Sequence, residues 1–369
     1  MNRFVESRAR SAIFNLKPYV PGKPIEEVKR ELGLEDIIKL ASNENPLGPS
    51  PLAQKAASSV ISQMHIYPDS NCFELKRRLS ELFDQPTDTI LVGNGSDELL
   101  KLIAETFLNP GDEVVMPQPS FSEYQFTATV MDGVCVQVPL HGFALDLSAM
   151  LKAINQRTKV VYLCNPNNPT GTIVTKEQVD RFMEEVPDHV LVVFDEAYQE
   201  YVDNADFVSG LDYLTTGKNV IVCRTFSKIY GLAALRIGYA FTTQAIAGAI
   251  ERVTEPFNVN SVAQVAALAA LDDLEHLQAS QFLNRQGKQY LYEQLETMGL
   301  SYVPTQANFI FLDTGKDCRL VFDKLLQKGV IVRTGDIFGY PNHLRVTIGT
   351  AEENNRFIEA LQTVLGNLS

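Results

Sequence analysis

From residue 89 onward, short blocks of consecutive apolar residues alternate with stretches in which apolar positions recur every third or fourth residue. The blocks predict strands at Thr89-Ile90-Leu91-Val92, Glu113-Val114-Val115-Met116, 134–138, 159–164, 190–194, 219–223 and 237–241. The stretches between them predict helices reaching to about 108, near 121–131 and over 175–186. A strand without polar alternation has no solvent face, so these blocks point to a mostly parallel sheet covered by helices on both sides. Phe73, Leu75, Leu79, Leu82 and Phe83 share one face of a helix over 73–83. Residues 1 to about 40 read as short polar stretches and an extended arm stiffened by Pro18 and Pro21, and the segment from Leu40 to Pro51 as an ordered loop.

Beyond residue 260 the pattern changes. The run 261–298 has few breakers and predicts one or two long helices. Strands at 308–312, 330–333 and 343–348, with helices near 317–328 and from 351, then predict a smaller α+β domain. The division implied is an N-terminal arm over 1–45 that joins the small domain, a large domain over 46–260 and a small domain over 261–369.

Composition narrows the function classes. The chain of 369 residues is 45% apolar, which is ample for a large core. Its net charge of −13 and lack of any basic run argue against nucleic acid or an anionic membrane as partner. No apolar run is long enough to span a bilayer, and the N-terminus lacks the apolar core of a secretory signal. Five scattered cysteines without a C-x-x-C pair suit a reducing, cytoplasmic setting. The five histidines show no metal-ligand spacing, so no metal site is expected.

The candidate chemistry gathers at the ends of predicted strands, where parallel sheets place their functional groups. Lys228 follows the strand Val220-Ile221-Val222-Cys223, with Thr225 and Ser227 before it and Arg236 after it. A desolvated lysine amine can condense with a carbonyl, while hydroxyls and a guanidinium fork can hold a phosphate beside it. Phosphate next to aldehyde describes pyridoxal phosphate, although a Ser-Lys pair alone also suits a loop cap. Gly95 and Ser96 open a helix whose N-terminus can bind phosphate. Asn165-Pro166-Asn167-Asn168-Pro169-Thr170-Gly171 is a rigid loop able to aim Asn168 at a ring hydroxyl. Asp195 ends another strand and could keep a pyridine nitrogen protonated, or else cap a helix; Tyr198 could donate to the ring oxygen. Tyr124 could stack on a ring or simply pack. Arg333 and Arg345 lie in apolar surroundings that call for an anionic partner, either a substrate or an internal carboxylate.

Together these motifs resemble the fold-type-I, class II pyridoxal-phosphate-dependent aminotransferases. The likeness runs from Pro18-Tyr19 and Asn43-Glu44-Asn45-Pro46-Leu47-Gly48 through Tyr67-Pro68-Asp69, Gly95-Ser96-Asp97-Glu98 and Asp195-Glu196-Ala197-Tyr198. It continues through Thr225-Phe226-Ser227-Lys228 to Leu344-Arg345-Val346-Thr347-Ile348-Gly349-Thr350. The resemblance implies that Lys228 bonds the cofactor and shuttles a proton, that Asp195 pairs the pyridine nitrogen, and that Asn168 and Tyr198 hold the ring oxygen. It implies Tyr124 as the stacking ring. Gly95, Ser96, Thr225, Ser227 and Arg236 would take the phosphate, joined by Tyr67 from the partner of a homodimer. Tyr19, Asn43, Arg333 and Arg345 would bind substrate. The implied reaction is ping-pong transfer of an amino group between glutamate and imidazole acetol phosphate, with an aromatic amino acid as the alternative substrate. A cofactor-sensing regulator without turnover is the more distant alternative.

Overall fold

The computed structural model describes residues 3–16 and 23–368. Helix α1 (Arg3–Arg8), a 3-10 turn over Ser11–Asn15 and α2 (Ile25–Leu32) come first. The extended arm expected around Pro18 and Pro21 lies outside the described residues, and short helices flank it. The α2 sequence holds Val28 on a buried face and ends at Gly33 in the left-handed region, a common helix stop. Strand β1 (Ile38–Lys39) leads to α3 (Pro51–Val60), which starts where Ser50 caps the helix and proline fits its first turn. Helix α4 (Phe73–Phe83) occupies the predicted span.

The large domain then alternates strand and helix as far as β6. It comprises β2 (Ile90–Gly93), α5 (Ser96–Phe107), β3 (Glu113–Gln118), α6 (Ser122–Val130), β4 (Val134–Pro139), α7 (Leu147–Ala153), β5 (Thr158–Cys164) and α8 (Lys176–Glu185). After these come β6 (Leu191–Asp195), β7 (Asn219–Thr225), β8 (Gly238–Phe241), α9 (Gln244–Ile250) and α10 (Ser261–Leu271). The seven strands lie in the order β2-β8-β7-β6-β5-β3-β4. All pair in parallel except β8, which is antiparallel to both its neighbours.

The unbroken apolar blocks follow from burial on two sides. On β6, Val192 and Phe194 join one core cluster while Leu191 and Val193 join the other; β7 splits Val220 and Val222 from Ile221 and Cys223 in the same way. Register sets Cys164, Asp195 and Cys223 side by side across β5, β6 and β7. The last residues of β5 and β6 thus lie on one line with Cys223, two residues before the end of β7, and Asp195 sits at its middle.

Helix α11 (Leu274–Thr297) leads into the small domain, made of β9 (Ser301–Val303), β10 (Phe309–Asp313), α12 (Cys318–Gln327), β11 (Val330–Ile331), β12 (Arg333–Thr334), β13 (His343–Thr347) and α13 (Ala351–Gly366). Four of its strands form an antiparallel sheet in the order β12-β13-β10-β9. Strand β1 pairs in parallel with β11, which ties the end of the N-terminal segment to this domain. The run 261–298 is two helices, broken where Asp273 caps α11 and accepts a 2.5 Å hydrogen bond from Ser50. Helix α10 contributes Ala263, Ala266, Ala267 and Ala270 to a large-domain core, whereas the small-domain core takes up α11 only from Leu291. The change from one core to the other therefore falls within the long helix α11.

One glycine fixes the loop after β7. Gly231 has φ +69°, and a Cβ there would lie 2.2 Å from the carbonyl oxygen of Gly48. Asn45 from the same neighbouring loop donates to the carbonyl of Ile229 at 2.6 Å. Gly111 has φ +86° but nothing within 4 Å of a Cβ. Gly111→Ala should therefore cost roughly 1 kcal/mol of backbone strain. Gly231→Ala should cost roughly 1–3 kcal/mol more, because backbone must move. Urea denaturation midpoints of the two variants measure the difference, and equal losses would show that the approach to Gly48 is not a constraint.

Candidate active site

The strand ends and the loops that follow them converge on one site between the two domains. Lys228 is half-buried in the loop after β7. Its Nζ lies 3.4 Å from the carbonyl oxygen of Ser42 and 5.7 Å from the centre of the Tyr198 ring. Burial, and then the nearby Arg345 guanidinium, push its pKa down to about 8. Asp195 is 3% exposed. One of its oxygens accepts from the Tyr124 hydroxyl at 2.6 Å and the other from the Ala197 N–H at 3.2 Å. Burial still pushes its pKa up to about 6, against the hydrogen bonds, which lower it. A depressed amine and a raised carboxyl are the pattern that desolvation produces at a reactive site.

Tyr198 is buried, packs edge-on against Phe309, and accepts a 3.0 Å hydrogen bond from Asn43 Nδ2. Its own hydroxyl proton is thereby left to donate elsewhere. Asn168 is buried, and its side-chain oxygen accepts from Arg345 Nη1 at 2.5 Å, so its amide NH2 is the end that can serve a ligand. Asn43 adopts φ 56° and is locked from both domains, by Tyr198 on one side and by Thr347 and Asn308 on the other.

Gly95 caps α5 with φ +87°, and a Cβ there would meet Arg236 Nη2 at 2.7 Å. Ser96 starts the helix. Thr225 Oγ1 accepts from the Ser227 N–H at 3.0 Å, which leaves both hydroxyl protons to donate. Arg236 pairs with Asp97 at 2.8 Å at the same helix N-terminus. Gly238, the β8 partner of Thr225, lies against the Ser96 backbone nitrogen, so the helix N-terminus, the hydroxyl segment and the guanidinium are neighbours, an arrangement that fits a phosphate group.

Arg345 is 7% exposed and lies between the Phe309 and Phe338 rings, 5.4 and 5.7 Å from their centres. Its Nη2 donates to the Ala41 carbonyl at 2.8 Å. Arg333 and Arg345 are direct cross-strand partners on β12 and β13.

One expected residue, Tyr124, sits differently from its expected role. Tyr124 is not placed to stack on a ligand. It is fully buried, one face is covered by Tyr162 at 4.4 Å in parallel, and its hydroxyl is bound to Asp195. Phe121, at the N-cap of α6 and edge-on to Tyr124 at 5.8 Å, is only half-buried. Its signal in the sequence is its place in the short turn between β3 and α6. Tyr67 is 78% exposed and stacks on Phe257 at 4.7 Å, so it points out of this chain's own site. Tyr19 lies outside the described residues.

Sequence reasoning also missed an ion pair behind the site. Arg224 and Glu196, 2.8 Å apart and almost fully buried, flank Thr225 and Asp195 in the chain and join the ends of β7 and β6. Glu196 also accepts from the Gly210 N–H and from Ser209.

Known proteins resemble this chain over nearly its whole length. The family model for aminotransferase class I and II matches residues 35–361. A histidinol-phosphate aminotransferase of Moorella thermoacetica is 56% identical over 97% of this chain and 93% of its own length. The enzyme of that name from Caldicellulosiruptor saccharolyticus is 49% identical over 96% of this chain and 99% of its own. The crystal structure of histidinol-phosphate aminotransferase from Sinorhizobium meliloti in complex with pyridoxal-5'-phosphate superimposes with a TM-score of 0.91 at 29% identity, covering 98% of this chain and 99% of that one.

The raised pKa of Asp195 has a measurable consequence for the cofactor-free chain. Its folded value of about 6 exceeds the ordinary 3.8, so the unfolded chain releases this proton first as pH rises. The folded state therefore loses stability between about pH 4 and pH 6, and the full cost, about 3 kcal/mol at 1.36 kcal/mol per pH unit, persists above that. Asp195→Asn, which keeps an oxygen for Tyr124, should gain stability relative to the wild type across that window and hold the gain at pH 7. Urea titrations at pH 4, 5, 6 and 7 test this; a constant difference would show that the carboxyl is not strained by burial.

Proposed function

The chain belongs to the aminotransferase class I and II family, and from that premise we propose that it is a cytoplasmic enzyme of histidine biosynthesis. It moves an amino group between L-glutamate and imidazole acetol phosphate, the latter becoming L-histidinol phosphate, with pyridoxal phosphate as cofactor. The observation that carries the substrate reading is the arginine pair. Arg345 is buried beside the site and has Arg333 opposite it on the neighbouring strand, so an anion placed there would have two guanidinium groups within one patch. Glutamate brings a carboxylate and histidinol phosphate brings a phosphate monoester, so one doubly cationic position serves both halves of the reaction. The names of the full-length relatives support the same choice.

The cofactor, when bound, supplies an aldehyde that takes up the amino group and a ring that accepts the electron pair left at the substrate Cα. Lys228 would be the group that holds the aldehyde end of the cofactor between turnovers and moves the proton at the substrate Cα. With its pKa near 8, a usable fraction of its amine is neutral around neutral pH. Asp195 holds the proton on the ring nitrogen. Asn168, through its NH2, and Tyr198, through its hydroxyl, hold the ring oxygen. Gly95, Ser96, Thr225, Ser227 and Arg236 hold the phosphate. Phe121 covers the ring face in place of Tyr124. Asn43, with Arg333 and Arg345, orients substrate. Phe309 and Phe338 exclude water from the Arg345 guanidinium, which strengthens its grip on an anion.

The assembly is a two-fold dimer in which Tyr67 reaches the cofactor phosphate of the second copy. Its outward direction supports this reading, as does the apolar surface formed by its neighbours Met64, Ile66 and Phe257, 71%, 58% and 43% exposed.

Two experiments bear on these proposals. Turnover of histidinol phosphate should exceed that of phenylalanine under one set of conditions, and Arg345→Ala should slow both half-reactions by about ten-fold or more, as loss of a charged bidentate contact predicts. Preference for phenylalanine would transfer the enzyme to the aromatic substrates, and loss confined to one half-reaction would remove the shared anion position. For the assembly, Lys228→Ala and Tyr67→Asp should each be nearly inactive alone. Unfolded and refolded together in equal amounts, they should regain about a quarter of wild-type activity, because half the dimers are hybrids with one intact site. No recovery would place Tyr67 in its own chain's site.

A further inference from the structure

We infer that Tyr124 is a positioning residue that holds the Asp195 carboxylate ionised and aimed into the site, and so sets how tightly the cofactor's ring nitrogen is bound. This rests on reading the site as a pyridoxal phosphate site. The hydroxyl lies 2.6 Å from Asp195 Oδ2, inside the range of a charge-assisted hydrogen bond. The ring that carries it cannot turn away. It is wholly buried, lies parallel to Tyr162 with 8° between the planes, and meets Phe121 edge-on at 86°. The donor is thus fixed before any ligand arrives, and the carboxylate is fixed with it.

Asp195 has few other supports. Its second oxygen has the longer bond, 3.2 Å, from the Ala197 N–H. The titratable groups around it are Asp97 from α5, Tyr162 and Cys164 from β5, Cys223 from β7, and Glu196 and Tyr198 from its own segment. None of these is a cation. The Tyr124 hydrogen bond is accordingly the largest influence that favours the charged form against burial. A phenylalanine would fill the same space and stack on Tyr162 equally well, so packing alone does not account for the hydroxyl.

Tyr124→Phe keeps the ring and removes only the donor. Two ligands report on it by absorbance titration of the cofactor-free protein at pH 8: pyridoxal phosphate, and its analogue with CH in place of the ring nitrogen. The dissociation constant for pyridoxal phosphate should rise about ten-fold or more, the usual effect of losing a hydrogen bond to a charged group. That for the analogue, which gives Asp195 nothing to pair with, should change less than about two-fold. In an Asp195→Asn background, adding Tyr124→Phe should change neither constant. Equal losses for both ligands would assign Tyr124 a merely structural role and overturn the inference, as would an unchanged affinity for pyridoxal phosphate. Should Tyr124→Phe fail to fold alone, Tyr124→Phe/Asp195→Asn compared with Asp195→Asn decides: equal affinity supports the inference, and a further loss overturns it. A wild-type chain that binds neither ligand would instead sink the cofactor reading on which this rests.

Discussion

Desolvation of two opposite ionisable groups is the constraint around which the rest is arranged. Asp195 and Lys228 sit at the ends of adjacent parallel strands, where burial raises one pKa to about 6 and lowers the other to about 8. Neither state comes free. Each group is held in a place that disfavours its charge, and the surrounding structure must outweigh that cost. Two apolar cores on opposite faces of the same three strands supply much of what is needed, since alternate residues of β5, β6 and β7 feed both. The Arg224–Glu196 pair, flush behind the site, ties the two strand ends together with charge already neutralised.

The fold was readable because burial on both faces leaves a plain signature. Blocks such as Val190-Leu191-Val192-Val193-Phe194 have no polar member to misplace, and their alternation with helical periodicity leaves few topologies open. The antiparallel direction of β8 left no such mark, because direction is a property of the path between strands. Helix α2 was overlooked because its charged sequence buries little more than Val28, so tertiary contact with Ile331 and Leu326 decides it. The break between α10 and α11 turns on Asp273, whose partner Ser50 is 223 residues away.

The site was legible to a similar depth. Residues that close a strand and carry a hydroxyl, carboxylate or amine were found, since the strand announces where they point. Tyr124 was given the wrong place because an aromatic in a helix can face either outward to a ligand or inward to a carboxylate, and one turn of helix separates it from Phe121. Partners that act from distant positions, such as Arg345 on Asn168 or Asn43 on Tyr198, have no local pattern to betray them.

The segment from Ala41 to Asn45 touches nearly everything named above. The Ala41 carbonyl receives Arg345, the Ser42 carbonyl lies against Lys228, Asn43 bridges Tyr198 and Thr347, and Asn45 holds both Ile229 and Ser280. Its spacing acts as a ruler laid across the gap between the domains, with successive marks at the Arg345 guanidinium, the Lys228 amine and the Tyr198 phenol. A ruler tolerates new graduations poorly. Surface loops in this protein can lengthen and merely bulge, but one residue added or removed here would slide every later contact by about 3.5 Å and set the two halves of the site out of step. Over evolutionary time, this stretch should therefore vary in letters at its edges and hardly at all in count.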